Sequence, residues 1–115
     1  MDIDDFQKKI INFRDKRNWK QFHNPKDLAV SLLLEAAELI EHFQWKSEQE
    51  IQQHVKSEKA QELKEEVVDV LWYVLLIAHE LNMDLEKEFL RKLRKNEKKY
   101  PVEKSKGSHK KYTEL

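Results

Sequence analysis

Two short acidic pairs, each set inside a long apolar run, constrain this chain most. Glu35-Ala36-Ala37-Glu38 lies within Leu28 to Trp45, and Glu66-Val67-Val68-Asp69 lies within Leu63 to Leu81. A spacing of three residues puts both acids of a pair on one helix face, one turn apart. With about 100° per residue, Leu28, Leu32, Leu39, Phe43 and their apolar neighbours fill most of the first helix's circumference. Glu35, Glu38, Ser31 and His42 are left with a polar strip of roughly 60°. In the second helix Glu62, Asp69, Tyr73 and Glu80 form a strip with Glu66, and Leu63, Val70, Leu71, Val74, Leu75 and Ile77 belong to the rest. A helix that is apolar nearly all round is a buried helix, so both strips are expected to face an enclosed cavity.

Either pair alone reads more readily as solvated surface acids, since Glu favours exposed helical positions. Repetition in two such helices changes the balance. Four carboxylates gathered in a poorly solvated site repel one another, and they need a cation or extra protons. Oxygen-only ligands suit a hard ion, Mg²⁺ first and Mn²⁺ second.

The 115 residues point to one domain. One Gly and two Pro, against 39% hydrophobic and 38% charged residues, leave few turn formers, so the chain should be all-α. The expected segments run from Asp4 to about Lys16, from Asn24-Pro25 to about Gln44, from Ser47 to about Val55, from a Ser57 cap to about Leu81, and from an Asp84 cap to about Lys99. Asn24, Ser47 and Asp84 are N-cap residue types, and Pro25 suits a first turn. No strand pattern competes. The expected architecture is a four-helix-bundle-like domain over residues 1–100, followed by an irregular basic tail over 101–115. So small a domain has little interior for two nearly all-apolar helices, and self-association is expected to cover the surplus.

Without cysteine there is no thiol nucleophile and no disulfide framework. Met1 to Asp5 is acidic and lacks an apolar core, and no run is apolar enough to span a bilayer, so a cytoplasmic location is expected. The net charge is zero, yet ten Lys or Arg face two acids between Arg91 and Lys111. That basic end could meet nucleic acid, or the phosphates of a small ligand through Lys92, Lys95 and Lys99. A non-catalytic helical oligomer binding nucleic acid is thus one reading.

The chemistry favours another. A di-iron bundle wants Glu-x-x-His pairs, and no Glu here has His at the third following position. Gly107 is the one glycine, so no Gly-rich phosphate loop exists. Four carboxylates with Mg²⁺ suit hydrolysis of a phosphate ester or anhydride, the metal neutralising charge while it or a carboxylate activates water. Trp19, Phe22, His23, Trp45 and Tyr73 could stack on and hydrogen-bond to a nucleobase, although each is also a plausible core residue.

These residues resemble the MazG-like all-α nucleotide pyrophosphohydrolases, whose signature is ExxE, a spacer, then ExxD. The likeness is strongest to the dCTP pyrophosphatase branch. It is carried by Trp19-Lys20-Gln21-Phe22-His23, Glu35 to Leu39, Phe43-Gln44-Trp45-Lys46, Glu65 to Leu71, Asn96 to Pro101 and Lys111-Tyr112-Thr113-Glu114-Leu115. The resemblance implies Mg²⁺-dependent hydrolysis of dCTP to dCMP and diphosphate, or a broader or dUTP-preferring activity. It implies Glu35, Glu38, Glu66 and Asp69 as catalytic metal ligands. It implies Trp19, Lys20, Gln21, Phe22, His23, Trp45 and Tyr73 as substrate contacts, Lys92 and Asn96 near the phosphates, and a homotetramer with a dimer as its minimal unit.

Overall fold

The structure, a computed structural model, describes residues 1–115 and contains helices and turns but no strand. It divides into two compact units, Met1–Asn82 and Met83–Leu115.

The first unit opens with helix α1, Ile3–Lys16. Its start is a reciprocal cap: Asp2 accepts the N–H of Asp5 at 3.0 Å, and Asp5 accepts the N–H of Asp2 at 2.9 Å. Such caps satisfy donors that a helix leaves unpaired. Asn18 takes a left-handed φ of 55°, which asparagine tolerates better than most residues. A 3₁₀ turn, Lys20–Phe22, follows. Helix α2, Pro25–Glu41, begins as its sequence predicts, with Asn24 Oδ1 accepting the Asp27 N–H at 2.9 Å. It ends sooner than expected, because residues 42–45 form a turn in which Trp45 adopts a φ of 63°.

Helix α3, Glu48–His54, carries the expected Ser47–Glu50 capping box. Helix α4 spans Ala60–Glu80, and Ser57 does not cap it. The Ser57 hydroxyl instead donates to the His54 carbonyl at 2.7 Å and accepts the Lys59 N–H at 3.1 Å, so it closes the turn after α3. Asn82, at a φ of 53°, ends the segment as expected.

Helices α1 and α2 both pack on α4. Ile10, Leu28, Leu75, Leu76 and Ala78 are buried and form the core. Gln7 Nε2 donates to the Leu75 carbonyl at 3.0 Å and ties α1 to the middle of α4. Phe13 meets Trp72 edge-on at 5.2 Å, and the Arg17 guanidinium lies 3.6 Å from the Phe13 ring centre. Both contacts favour these aromatic rings beyond simple burial.

The acid-bearing helices are not covered all round, contrary to the sequence expectation. Val30, Leu33, Leu34 and Ile40 of α2 and Val67, Val68 and Val74 of α4 are exposed. Three packed helices bury one stripe of each neighbour, and no fourth layer of the unit lies over these side chains.

The second unit holds helix α5, Leu85–Lys99, with Asp84 accepting the Lys87 N–H at 3.1 Å. Where an irregular tail was expected, the chain makes helix α6, Val102–Ser105, and a 3₁₀ turn, Tyr112–Glu114. Tyr112 explains the return: its ring meets Tyr100 edge-on at 6.1 Å and Lys99 Nζ at 4.6 Å. No helix is long and apolar enough to cross a membrane.

Leu75 is 1% exposed at the centre of the core. Leu75→Ala is expected to destabilise the protein by about 2–5 kcal/mol. Urea unfolding would show a lower midpoint with little change in slope.

Candidate active site

Helix α2 runs antiparallel to α4. His42, just past the end of α2, contacts Glu66 in the first half of α4, whereas His23, just before α2, lies near Glu80 at the end of α4. Glu35 and Glu38 therefore come from the second half of α2 and meet Glu66 and Asp69 of α4. All four predicted acids belong to one electrostatic group.

Their protonation records that crowding. Burial, followed by the charge of Glu38, then that of Asp69, raises the proton affinity of Glu35, and a hydrogen bond with Glu38 and the charge of Glu66 add to it. Burial likewise raises Asp69, helped by Glu38 and Glu65. Glu35 Oε2 and Glu66 Oε2 are buried without an aligned hydrogen-bond partner. Orphaned carboxylate oxygens beside other carboxylates form a donor set that fits a hard divalent cation. As the side chains stand, no three Asp, Glu or His residues converge to hold a metal ion. Ligation by the group would require different carboxylate rotamers on the same backbone.

Beside the acids opens a cleft of about 260 Å³ lined by four acids and four basic or imidazole groups. Glu38, Glu41, Glu62 and Glu66 line it with His42, Lys46, His54 and Lys59. Burial, then the charge of Lys46, holds the His54 pKa below its ordinary value. Opposite charges along one wall can bind an anionic ligand and its counter-ion together.

The seven predicted substrate residues fall into two groups and a link. Trp19, Lys20, Gln21, Phe22 and His23 sit towards the C-terminal end of α4. Trp19 meets Phe13 edge-on at 5.8 Å. Burial, then the Arg14 charge, lowers the His23 pKa against the pull of Glu80, and its Nδ1 is buried without a partner. Trp45 stands towards the other end, next to Lys46 of the cleft. Glu66 and Glu80, which mark the two groups, are fourteen residues apart on α4, a rise of about 21 Å. Tyr73, half-buried, lies between them on α4.

Trp45 is 91% exposed in a left-handed backbone conformation. Such a conformation costs a non-glycine residue about 1–3 kcal/mol, and no core packing offsets it. In the second unit Lys92 and Asn96 are exposed on α5. Lys95 and Lys99 line a cleft of about 410 Å³ with Lys98, Lys104 and Tyr112.

Arg14 and the His42–His54 pair were not among the predicted site residues. Arg14 is 3% exposed, paired with Asp15 at 2.9 Å. The signal was its register, since Phe6, Ile10 and Arg14 share one face of α1. His54 joins the site only through the turn between α2 and α3, which has no sequence periodicity to read.

With this geometry in place, the similarity of the chain to known proteins decides its family. A model of the MazG-like family matches residues 30–115, which include both acidic pairs. The chain belongs to the MazG-like family. It is 39% identical over 115 residues to dCTP pyrophosphatase 1 of Mus musculus, spanning 98% of this chain and 67% of that protein. Identity to dCTP pyrophosphatase 1 of Homo sapiens is 36% over 114 residues, with 98% of this chain and 67% of the relative covered. A crystal structure of a pyrophosphatase from Archaeoglobus fulgidus DSM 4304 superposes with a TM-score of 0.78 at 39% identity, over 86% of this chain and 92% of that one. This MazG-like chain therefore shares its fold with a solved pyrophosphatase.

Raised proton affinity in Glu35 and Asp69 gives stability a pH dependence. The folded state holds these protons more tightly than the unfolded state. The associated stability is present below the ordinary carboxylate range and is lost as pH rises through the raised folded values. Glu35→Gln should remove part of that dependence. In chelator, the melting temperature of Glu35→Gln minus that of the wild type is expected to grow from about pH 4 to about pH 7. A constant difference would contradict the assignment.

Proposed function

We propose that this MazG-like protein is a divalent-cation-dependent nucleoside triphosphate pyrophosphohydrolase that splits dCTP into dCMP and diphosphate and clears it from the cytoplasmic nucleotide pool. The single observation that carries the reading is the gathering of Glu35, Glu38, Glu66 and Asp69 between α2 and α4, with Glu35 Oε2 buried without a hydrogen-bond partner and Glu66 Oε2 buried against the His42 ring. The names of the relatives and of the solved neighbour support the same anhydride chemistry.

In this reading Glu35, Glu38, Glu66 and Asp69 hold Mg²⁺, with Mn²⁺ as a substitute. A bound ion supplies neutralisation of phosphate charge and a more acidic water. One carboxylate of the group, with Glu35 as the candidate because its Oε2 is buried without a hydrogen-bond partner, would accept the proton of the attacking water. Lys46 and Lys59, which line the cleft together with the acids, take phosphate oxygens. Trp45 stacks on the base, and an exposed ring held in a costly conformation fits that role.

Trp19, Lys20, Gln21, Phe22, His23 and Tyr73 complete the base and sugar contacts. Their distance from Trp45 within one unit is met by a second copy, in a homotetramer built from dimers. The exposed apolar side chains of α2 and α4 are the surface such an assembly would cover. The neutral imidazole of His23 can donate and accept, as readout of a cytosine edge requires.

The reading makes two sets of expectations. Glu38→Ala and Glu66→Ala should reduce dNTP hydrolysis to background while helicity by circular dichroism is unchanged, and chelation should do the same until Mg²⁺ is restored. Full activity in either variant with Mg²⁺ present would overturn the proposal. Incubation with each common dNTP and dUTP, with products separated by chromatography, tests the base preference. Trp45→Ala should raise KM by about tenfold with kcat little changed, since stacking on one aromatic ring contributes about 1–3 kcal/mol.

A further inference from the structure

Behind Glu66 stands a pair of histidines that the four acids leave unexplained. The His42 side chain is 10% exposed, and its Nε2 lies 2.5 Å from Glu66 Oε2. Its other ring nitrogen, Nδ1, lies 2.7 Å from Nε2 of His54, the last residue of α3. The two rings are 5.0 Å apart between centres, and the Phe43 ring meets His54 edge-on at 6.2 Å.

These contacts set a direction. A neutral imidazole has one donor and one acceptor nitrogen, and an ionised carboxylate only accepts. With His42 neutral and Glu66 ionised, the proton facing Glu66 is the one on His42 Nε2. His42 Nδ1 is then an acceptor, and the proton in the 2.7 Å contact is carried by His54 Nε2. The order runs from His54 through His42 to Glu66. Glu66 Oε2 sits off the axis of an ideal hydrogen bond, although it is close to the ring. The imidazole thus restrains this oxygen electrostatically and leaves lone-pair capacity for another partner. Groups that hydrogen-bond or orient a ligating carboxylate commonly govern how well it binds.

We propose that His42, oriented by His54, is a positioning residue that fixes the Glu66 carboxylate for cation binding. The inference rests on the metal reading above and adds to it two residues from outside both acidic pairs. The turn 42–45 and helix α3 then become part of the site, since they carry the two rings to α4.

The test is Mn²⁺ binding to the full chain without nucleotide, read as loss of the free-ion signal in electron paramagnetic resonance. His42→Leu and His54→Ala are expected to weaken binding by about tenfold. His54→Gln, whose amide nitrogen can take the place of Nε2, should restore most of the affinity. Melting temperatures of all variants show whether each is folded. If Glu38→Ala binds no Mn²⁺ while both histidine variants bind it as the wild type does, the positioning role is overturned and the metal reading stands. If the wild type binds no Mn²⁺, the metal reading falls and this inference falls with it. A His54→Gln variant as weak as His54→Ala reduces the pair to packing and overturns the proposal.

Discussion

Carboxylates brought together on neighbouring helices repel, so something other than their own chemistry must hold them there. In this chain that is the apolar contact of α2 and α1 with α4. Leu28, Leu75, Leu76 and Ala78 are buried near one end of the α2–α4 pair, and Glu35, Glu38, Glu66 and Asp69 lie further along it. Hydrophobic burial contributes about 25 cal/mol per Å², enough over a helix interface to exceed repulsion between partly screened acids. Burial first, and then the neighbouring carboxylates, raise the proton affinities of Glu35 and Asp69. The fold thus holds negative charge in a poorly solvated place, and any cation or proton that enters relieves it.

Sequence exposed the repulsion because two features coincide in it. ExxE and ExxD each sit on a strip one helical turn long, within a helix otherwise apolar, and 3.6-residue periodicity converts that pattern into facing acids. Caps at Asn24, Ser47 and Asp84 were readable for a similar reason, since each side chain answers a local donor three residues on. Ser57 misled because its hydroxyl satisfies the turn after α3 instead of a helix start. What lay beyond local rules was tertiary. The burial of Arg14 depends on how α1 settles on α4, and the contact of His42 with His54 depends on a turn whose residues show no period.

Exposure was the larger surprise. A helix apolar nearly all round is expected to be enclosed, yet Leu33, Leu34 and Ile40 are open to solvent, as are Val67 and Val68. Periodicity reports which faces avoid water, and it does not report whether the covering atoms belong to the same chain. The distinction bears on the site itself. Trp45 is 91% exposed, so its ring has almost no cover from its own chain. The exposed apolar side chains of α2 and α4 are therefore a surface that their own unit leaves without a covering layer.

The same lack of cover bears on the odd conformation of Trp45. A large ring held at positive φ and left almost wholly in water lowers the stability of an isolated chain twice over, through backbone strain and through apolar exposure. Both costs are tolerable where the ring acquires a partner, whether a flat base or a neighbouring protomer. The turn that carries Trp45 also carries His42 and Phe43, which reach back to Glu66 and His54. A ligand that moved Trp45 would pull on the same four-residue turn that restrains Glu66. The exposed ring of Trp45 and the contacts of His42 and Phe43 are thereby set by the same few backbone torsions.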